Sequence, residues 1–369
     1  MIAFMNTSSK SLKAGVLGAG GMGRTVVQHL QGIPEVSGIV AYDVVPESLR
    51  KTEAECGVPV TSDLQKILRD PAIRLVFVTA ANHAHHDLVL SALEAGKAVM
   101  CEKPMANTLA EARAMVETAE RLGHFFQIGF ELRYSKLYTK IKEWIDAGLL
   151  GQVVSTHCLY GSGAYPKSAW RNRKREGGST FGERISHYVD LTRWWIGSPV
   201  VDVFSACAPN VVPYTEVRDN YHTTYRFENG AVGHVSYFMN FPATFLGDPL
   251  AKDITELQRG DGHELRYLIV GTKGAAETDV FLKKIKRWAF TDAPDRMLST
   301  WVETLTWKSE EDHFYYHNTS DQTRDIVRRV LAGEPPMTPA RDADETMQLC
   351  FAAEQSADTG RLVALRDVV

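Results

Sequence analysis

The sequence predicts an α/β chain, with a doubly wound parallel sheet in its first third and a second domain built from successive strands. Three observations predict this. A strand, a glycine turn and a helix open the patterned sequence. Short apolar runs then alternate with amphipathic helices to about residue 128, and from Gly151 the pattern changes to period two. The 369 residues suit two domains of ordinary size. With 44% hydrophobic and 23% charged residues the chain can bury a core, which excludes wholesale disorder. The 41 basic and 45 acidic residues leave a net charge of −4, which argues against a globally basic nucleic-acid binder. Any anion site must be built locally. Cys56, Cys101, Cys158, Cys207 and Cys350 are odd in number and widely spaced, without C-x-x-C. They argue against a disulfide scaffold or zinc ribbon and fit a reducing compartment. The apolar start, Met1 to Met5, is too short for a signal-peptide core, and no stretch approaches the roughly 18 apolar residues of a membrane span. A cytoplasmic protein without membrane or nucleic-acid partners is expected.

Lys13-Ala14-Gly15-Val16-Leu17 reads as a short buried strand. Gly18-Ala19-Gly20-Gly21-Met22-Gly23 follows at once, and Val26, Val27 and Leu30 share one face of the next helix. G-x-G-x-x-G in this setting is the dinucleotide-binding pattern of a Rossmann sheet. Gly18 permits the tight turn, Gly20 lets a pyrophosphate approach the backbone, and Gly23 lets helix pack on strand. The helix start at Gly21 and Met22 offers N–H groups and partial positive charge to the phosphates. A second strand, residues 38–42, ends in Asp43. A carboxylate there accepts from ribose hydroxyls and repels a 2′-phosphate, so NAD is expected rather than NADP.

The alternation continues. Ser62 or Asp63 caps a helix through Leu68, residues 73–79 form an apolar β run, and 87–95 form a helix closed by Gly96. Residues 98–101 are another buried strand. Thr108-Leu109-Ala110-Glu111 is a capping box opening a helix to about Leu122, with Gly123 as its stop. Residues 125–128 add a further strand. Repeated βα units make a parallel sheet whose ligands bind at the carboxyl ends of its strands. Three segments stand at such ends: Thr79-Ala80-Ala81-Asn82-His83-Ala84-His85-His86, Cys101-Glu102-Lys103-Pro104 and Gly129-Phe130-Glu131-Leu132-Arg133-Tyr134.

Together these motifs resemble the glucose–fructose oxidoreductase and inositol dehydrogenase family (Gfo/Idh/MocA), closely over the first 135 residues and more loosely beyond. Glu102-Lys103-Pro104, preceded by Ala95-Gly96-Lys97, is the most specific mark. The resemblance implies a Rossmann domain over residues 1–130 and an α+β domain over 131–369. The second domain would carry a large, mostly antiparallel sheet, cover the nicotinamide, bind a sugar or polyol, and self-associate into a homo-oligomer. The last helix is expected to pack back on the first domain. The resemblance places Lys103 beside the nicotinamide, often with a cis bond to Pro104. It sets Thr79, Ala80, Asn82, His85, Glu102 and Gln127 around the cofactor. A lysine buried beside a cationic nicotinamide can have a lowered pKa and act as base for a substrate hydroxyl. His83, His85 and His86 have no paired cysteine or acid, so no metal is expected. His85 reads as a helix-start residue near the cofactor, with His83 and His86 solvated.

Beyond Gly151, residues 153–160 alternate like a strand. A glycine-rich stretch from Gly177 then opens a helix to about Ile196 that carries Glu183, His187 and Asp190. Glu183 and His187 stand at i and i+4, on one face. Relatives place an aspartate and a histidine at this spacing beneath the nicotinamide. His187 is thus a second acid–base candidate, and Glu183, one methylene longer, would orient it or touch substrate. Upstream, Lys167, Arg171, Arg173, Lys174 and Arg175 crowd one segment. Lys167 and Arg171 are expected to hold an anionic group on a sugar, Trp170 to stack on its ring, and Arg133 and Tyr134 to complete the substrate set. Residues 201–207, 221–227, 231–239, 265–270 and 275–279 read as strands, with Asn229-Gly230 as a hairpin signal. His222, His234 and His263 read as core or surface residues. Residues 240–262 form a long loop, and 321–331 and 343–359 read as helices, the second capped by Asp342.

The expected function is NAD-dependent oxidation of a hydroxyl on a pyranose sugar or polyol, with Lys103 and His187 managing the proton. The same residues suit a second reaction. This is hydrolysis of an anionic glycoside, for example a sulfonated one, by transient C3 oxidation, elimination, water addition and re-reduction.

Overall fold

Six parallel strands form the first sheet: β1 (Leu12–Leu17), β2 (Val36–Tyr42), β3 (Val60–Thr61), β4 (Ile73–Val78), β5 (Ala98–Cys101) and β6 (Phe126–Ile128). The computed structural model describes residues 11–239 and 264–368. The loop read at 240–262 and His263 lie outside the described residues. Strand order is β3-β2-β1-β4-β5-β6, reversing direction between β1 and β4. The strands are apolar on both faces because helices cover both: Ala14, Val16, Leu75 and Phe77 are wholly buried. Those helices include α1 (Gly21–Gln31), α2 (Pro46–Cys56), α3 (His85–Glu94) and α4 (Leu109–Leu122). The capping box forms as read: the Thr108 and Glu111 side chains each accept from the other's N–H, and Gly123 ends the helix at φ 65°. Helix α3 starts two residues before the expected Asp87, because a 3-10 turn at Asn82–Ala84 leads into it.

The chain divides into two compact units, and they are not two consecutive segments. Of the described residues, the first holds 11–131, 175–178 and 318–347; the second holds 132–174, 179–239, 264–317 and 348–368. The last helix was expected to return to the first domain, and its residues 340–347 do belong to the first unit. The helix before it, α7 (Thr319–Ala332), lies wholly in the first unit. Its Ile326 and Val327 join a core with Val27, Leu30 and Phe125, and Val330 and Leu331 pack against it. The apolar stripe of α7, at helical spacing, is what carries it there. The last helix, α8 (Ala340–Thr359), divides between units at Met347. Residues 337–339 also cover the edge of the sheet. Thr338 Oγ1 donates to the Ile128 carbonyl at 2.6 Å, and Gln127 bridges Pro339.

The second unit is built on nine strands: β7 (Val153–Ser162), β8 (Val200–Ala206), β9 (Asn220–Phe227), β10 (Val232–Met239), β11 (Glu264–Gly271), β12 (Gly274–Asp279), β13 (Lys284–Asp292), β14 (Met297–Thr306) and β15 (Val363–Ala364). Their order is β14-β13-β12-β11-β7-β10-β9-β8-β15, and only β7 and β10 pair in parallel. The hairpin expected at Asn229-Gly230 joins β9 and β10, with Gly230 at φ 84°. One face packs under α5 (Lys136–Asp146) and α6 (Ser186–Ile196) through an aromatic core. There Tyr160 lies 4.7 Å from Tyr188 and 5.1 Å from Tyr237, and Trp195 meets Tyr267 edge-on at 5.0 Å. Strands β13 and β14 have no counterpart in the sequence reading. Met297, Leu298, Trp301 and Val302 are exposed on β14, so no in–out alternation marks it.

Candidate active site

The first unit builds a cradle at the carboxyl ends of β1, β2 and β4. Gly18 turns the chain at φ 110°, and a Cβ there would lie 2.4 Å from the Ala80 nitrogen. A Cβ on Gly23 would lie 1.8 Å from the Gly18 oxygen, so only glycine lets α1 start this close to the strand. Gly20 and Gly21 differ: a Cβ on either would meet nothing within 4 Å. Protein packing therefore does not require them, and the space they leave open fits a pyrophosphate. Helix α1 has no side-chain cap and no acid in its first turn, so its N-terminal field is available to an anion. Met22 is exposed in that turn. Thr79 Oγ1 donates to the Gly18 carbonyl at 2.7 Å and pins the loop.

Asp43 is set by the same loop. One carboxylate oxygen accepts from the Ala19 N–H and the other from the Val45 N–H, each at 2.8 Å. It caps no helix side chain-first; Val45 stands at the N-cap of α2. Its carboxylate keeps free lone pairs for ribose hydroxyls. Asp43→Ala is expected to weaken NAD binding about tenfold or more, the size of a hydrogen bond to a charged group, and to narrow the preference over NADP. Titration of both cofactors against wild type and variant checks this; unchanged NAD affinity would sink the ribose role.

Lys103 is half-buried at the end of β5, and its bond to Pro104 is cis. Glu102, beside it, is buried, with its carboxyl pushed up to about 8 by burial first, then by the charge of Glu131; Lys103 opposes the shift. The site thus holds a carboxyl that keeps its proton at neutral pH next to the candidate base. The folded state binds this proton more tightly than the unfolded chain. The stability it contributes is complete below the ordinary value of 4.5 and is lost as pH rises through about 8. Glu102→Gln cannot ionise, so its melting temperature is expected to fall less than wild type's between about pH 6 and about pH 9. Parallel melts at the two pH values decide it, and equal losses would overturn the assignment.

Other expected cofactor residues have protein partners. Asn82 Nδ2 donates to the Gly177 carbonyl at 3.0 Å and so ties residues 175–178 to this unit. Gln127 is wholly buried, with Oε1 accepting from the Met337 N–H at 3.0 Å. It secures the covering segment of the sheet edge. His85 is wholly buried, His83 exposed, and His86 half-buried beside Asp87.

In the second unit, Glu183 lies in a π-helical turn, Phe181–Ile185, that precedes α6. A π turn carries an extra residue, so the regular i, i+4 face drawn from the sequence does not apply across it. The buried Glu183 carboxylate accepts from the Tyr165 hydroxyl and from Arg171 Nε, the latter at 2.7 Å. Tyr165 stays a donor, because burial first and Glu183 second raise its pKa. The Arg184 guanidinium lies 3.9 Å over the Tyr165 ring. Arg171, expected to hold an anionic group, has its charge offset by Glu183, and its guanidinium covers the Trp170 ring at 4.4 Å. Trp170 therefore has one face occupied. Lys167 is exposed, 5.6 Å over Tyr214, and Tyr134 is half-buried.

His187 is buried on α6, its ring 6.0 Å from that of His317. One turn on, Asp190 takes Arg133 in a bidentate pair at 2.7 and 2.6 Å, both side chains buried. Arg133, expected at the substrate, instead locks α6 to the turn at Glu131–Tyr134. Its charge is spent on a buried carboxylate, as burial of an arginine requires.

Two family comparisons match this layout. Residues 12–130 match the oxidoreductase family, NAD-binding Rossmann fold, and residues 138–277 match the GFO/IDH/MocA C-terminal domain. The chain belongs to the Gfo/Idh/MocA family. The inositol 2-dehydrogenase of Streptomyces avermitilis is 30% identical over 313 residues, covering 80% of this chain and 84% of that one. The myo-inositol 2-dehydrogenase of Thermotoga maritima is 24% identical over 368 residues, covering 97% and 100%. The fold is also that of levoglucosan dehydrogenase, solved with NADH and levoglucosan, at a TM-score of 0.81 and 22% identity over 96% of this chain and 99% of that one.

As a Gfo/Idh/MocA protein the chain is an NAD-binding oxidoreductase, and the open Gly20–Gly21 cradle, α1 and Asp43 are the parts that fit NAD. Glu131, Tyr165, Arg184 and His317 escaped the sequence reading. Glu131 stands inside a segment it quoted, but nothing in that segment marks which side chain turns to which partner. Among the described residues no helix is long and apolar enough to cross a membrane.

Proposed function

We propose that the protein is an NAD-dependent dehydrogenase for a secondary hydroxyl of a sugar or polyol without an anionic group. The observation that carries this is Lys103, set beside a proton-holding Glu102 at the strand end of an NAD-binding unit. When bound, NAD supplies the hydride acceptor. The Lys103 amine takes the hydroxyl proton as the carbinol carbon is oxidised, and His187 is the second group able to move one. Glu183, with Tyr165 and Arg171 on its oxygens, has the mixed donors and acceptors that recognise neighbouring hydroxyls. The pairing of Arg171 with Glu183 supports a neutral substrate over an anionic one. The names of the relatives, inositol 2-dehydrogenase and levoglucosan dehydrogenase, support the substrate class.

The test supplies NAD with inositols, free and anhydro sugars, and neutral and anionic aryl glycosides, and follows NADH and aglycone together. NADH formed in step with loss of a neutral polyol or sugar is expected. Aglycone released without net NADH would replace this reading with the redox-cycling hydrolase.

A further inference from the structure

Helix α3 begins at His85, whose ring is wholly buried. Both ring nitrogens face main-chain carbonyls: Nδ1 lies 2.8 Å from the Pro104 oxygen and Nε2 lies 3.0 Å from the Ala80 oxygen. A carbonyl oxygen only accepts. A neutral imidazole has one N–H, so it satisfies one of these oxygens and turns a lone pair toward the other. Only the imidazolium donates to both. The two carbonyls belong to the two segments that carry cofactor-site residues. Ala80 lies between Thr79 and Asn82 beyond β4, and Pro104 follows Lys103 beyond β5.

We propose that His85 is a positioning residue that clamps these two segments through both ring nitrogens, so that NAD affinity is coupled to one proton on its imidazole. Several groups act on that proton. Burial opposes it most, the two carbonyls favour it, and the charges of His83 and Lys103 oppose it. Glu102 stands next to Lys103 on the facing segment. Asp87, on α3 itself, is engaged with His86, and on the packed helix α4 Glu111 is engaged in the capping box, with Arg113 and Glu117 exposed. The balance puts the doubly donating form on the acidic side of the ordinary histidine range. Near neutrality the clamp holds by one bond.

The experiment is calorimetric titration of the full-length protein with NAD alone, from about pH 5.5 to about pH 8. No sugar is present, so its outcome is independent of the substrate proposal. Wild type is expected to bind about two- to tenfold more tightly at the acidic end, the size of one hydrogen bond. His85→Gln offers one donor group and one acceptor, as neutral imidazole does. It is expected to bind NAD at the wild-type high-pH affinity across the range. A flat wild-type profile, or a His85→Gln profile with the wild-type slope, overturns the proposal. Should His85→Gln not fold, proton uptake on NAD binding by wild type, read from titrations in two buffers of different ionisation enthalpy, decides it. Measurable uptake below neutrality supports the clamp, and none across the range overturns it.

Discussion

Lys103→Met is expected to lower kcat on the oxidised substrate by about 10²- to 10⁴-fold, the usual worth of a positioned general base. Methionine keeps most of the side chain's length and apolar stem, so the half-buried position stays filled. On the proposed reading NAD is held chiefly by the glycine loop, the α1 terminus and Asp43, none of which the substitution touches. The loss should therefore fall on kcat, with little change in the affinity for NAD. Single-turnover hydride transfer and a separate NAD titration read the two effects apart. Activity within tenfold of wild type would remove Lys103 from the chemistry. A variant that no longer bound NAD would show that Lys103 is needed to hold the cofactor.

Breaking the Arg133–Asp190 pair is expected to cause the largest loss of stability of any single side-chain change in the second unit. Asp190→Ala removes a carboxylate that takes two donors from a guanidinium, where the side chains are 7% and 1% exposed. It takes from a buried arginine its bidentate carboxylate, at a cost of about 3–5 kcal/mol. Replacing both partners with apolar residues, Arg133→Met with Asp190→Leu, is expected to recover much of that loss, because no charge is then stranded. Lys140→Ala is the control: its pair with Glu143 is exposed and worth roughly 0–1 kcal/mol. Urea denaturation of the four proteins checks the order. A loss for Asp190→Ala no larger than for Lys140→Ala would mean that the pair is open to water. It would then return Arg133 to the candidate substrate residues.

These two residues show where sequence reading stopped. Lys103 was legible because its neighbours Glu102 and Pro104, and a glycine-closed helix before the strand, are adjacent in the chain. Arg133 was also picked out, but without its partner. Its partner is 57 positions away, and nothing local says whether an arginine meets a substrate or a buried aspartate. Arg171 shows the same limit. It sits in a basic segment, and the carboxylate that offsets it arrives from a π turn, which shifts Glu183 off the helical face the spacing implies. Strands β13 and β14 were missed because their apolar residues are largely not inward, so burial leaves no alternation to read.

The sequence by itself determined five of the first six strands, the glycine turn, the acid at the end of β2, the capping box and the candidate base. Each rests on residues within a turn or two of one another, or on backbone conformations that only glycine adopts without strain, and short-range chemistry is the same wherever the chain goes next. Tertiary structure alone decided that residues 318–347 complete the first unit, that Glu102 meets the charge of Glu131, that Asp190 takes Arg133, and that both nitrogens of His85 face carbonyls. Those outcomes depend on which distant groups share a buried, low-dielectric space. There an unpaired charge or donor is costly, and the partner that relieves it can come from anywhere in the chain.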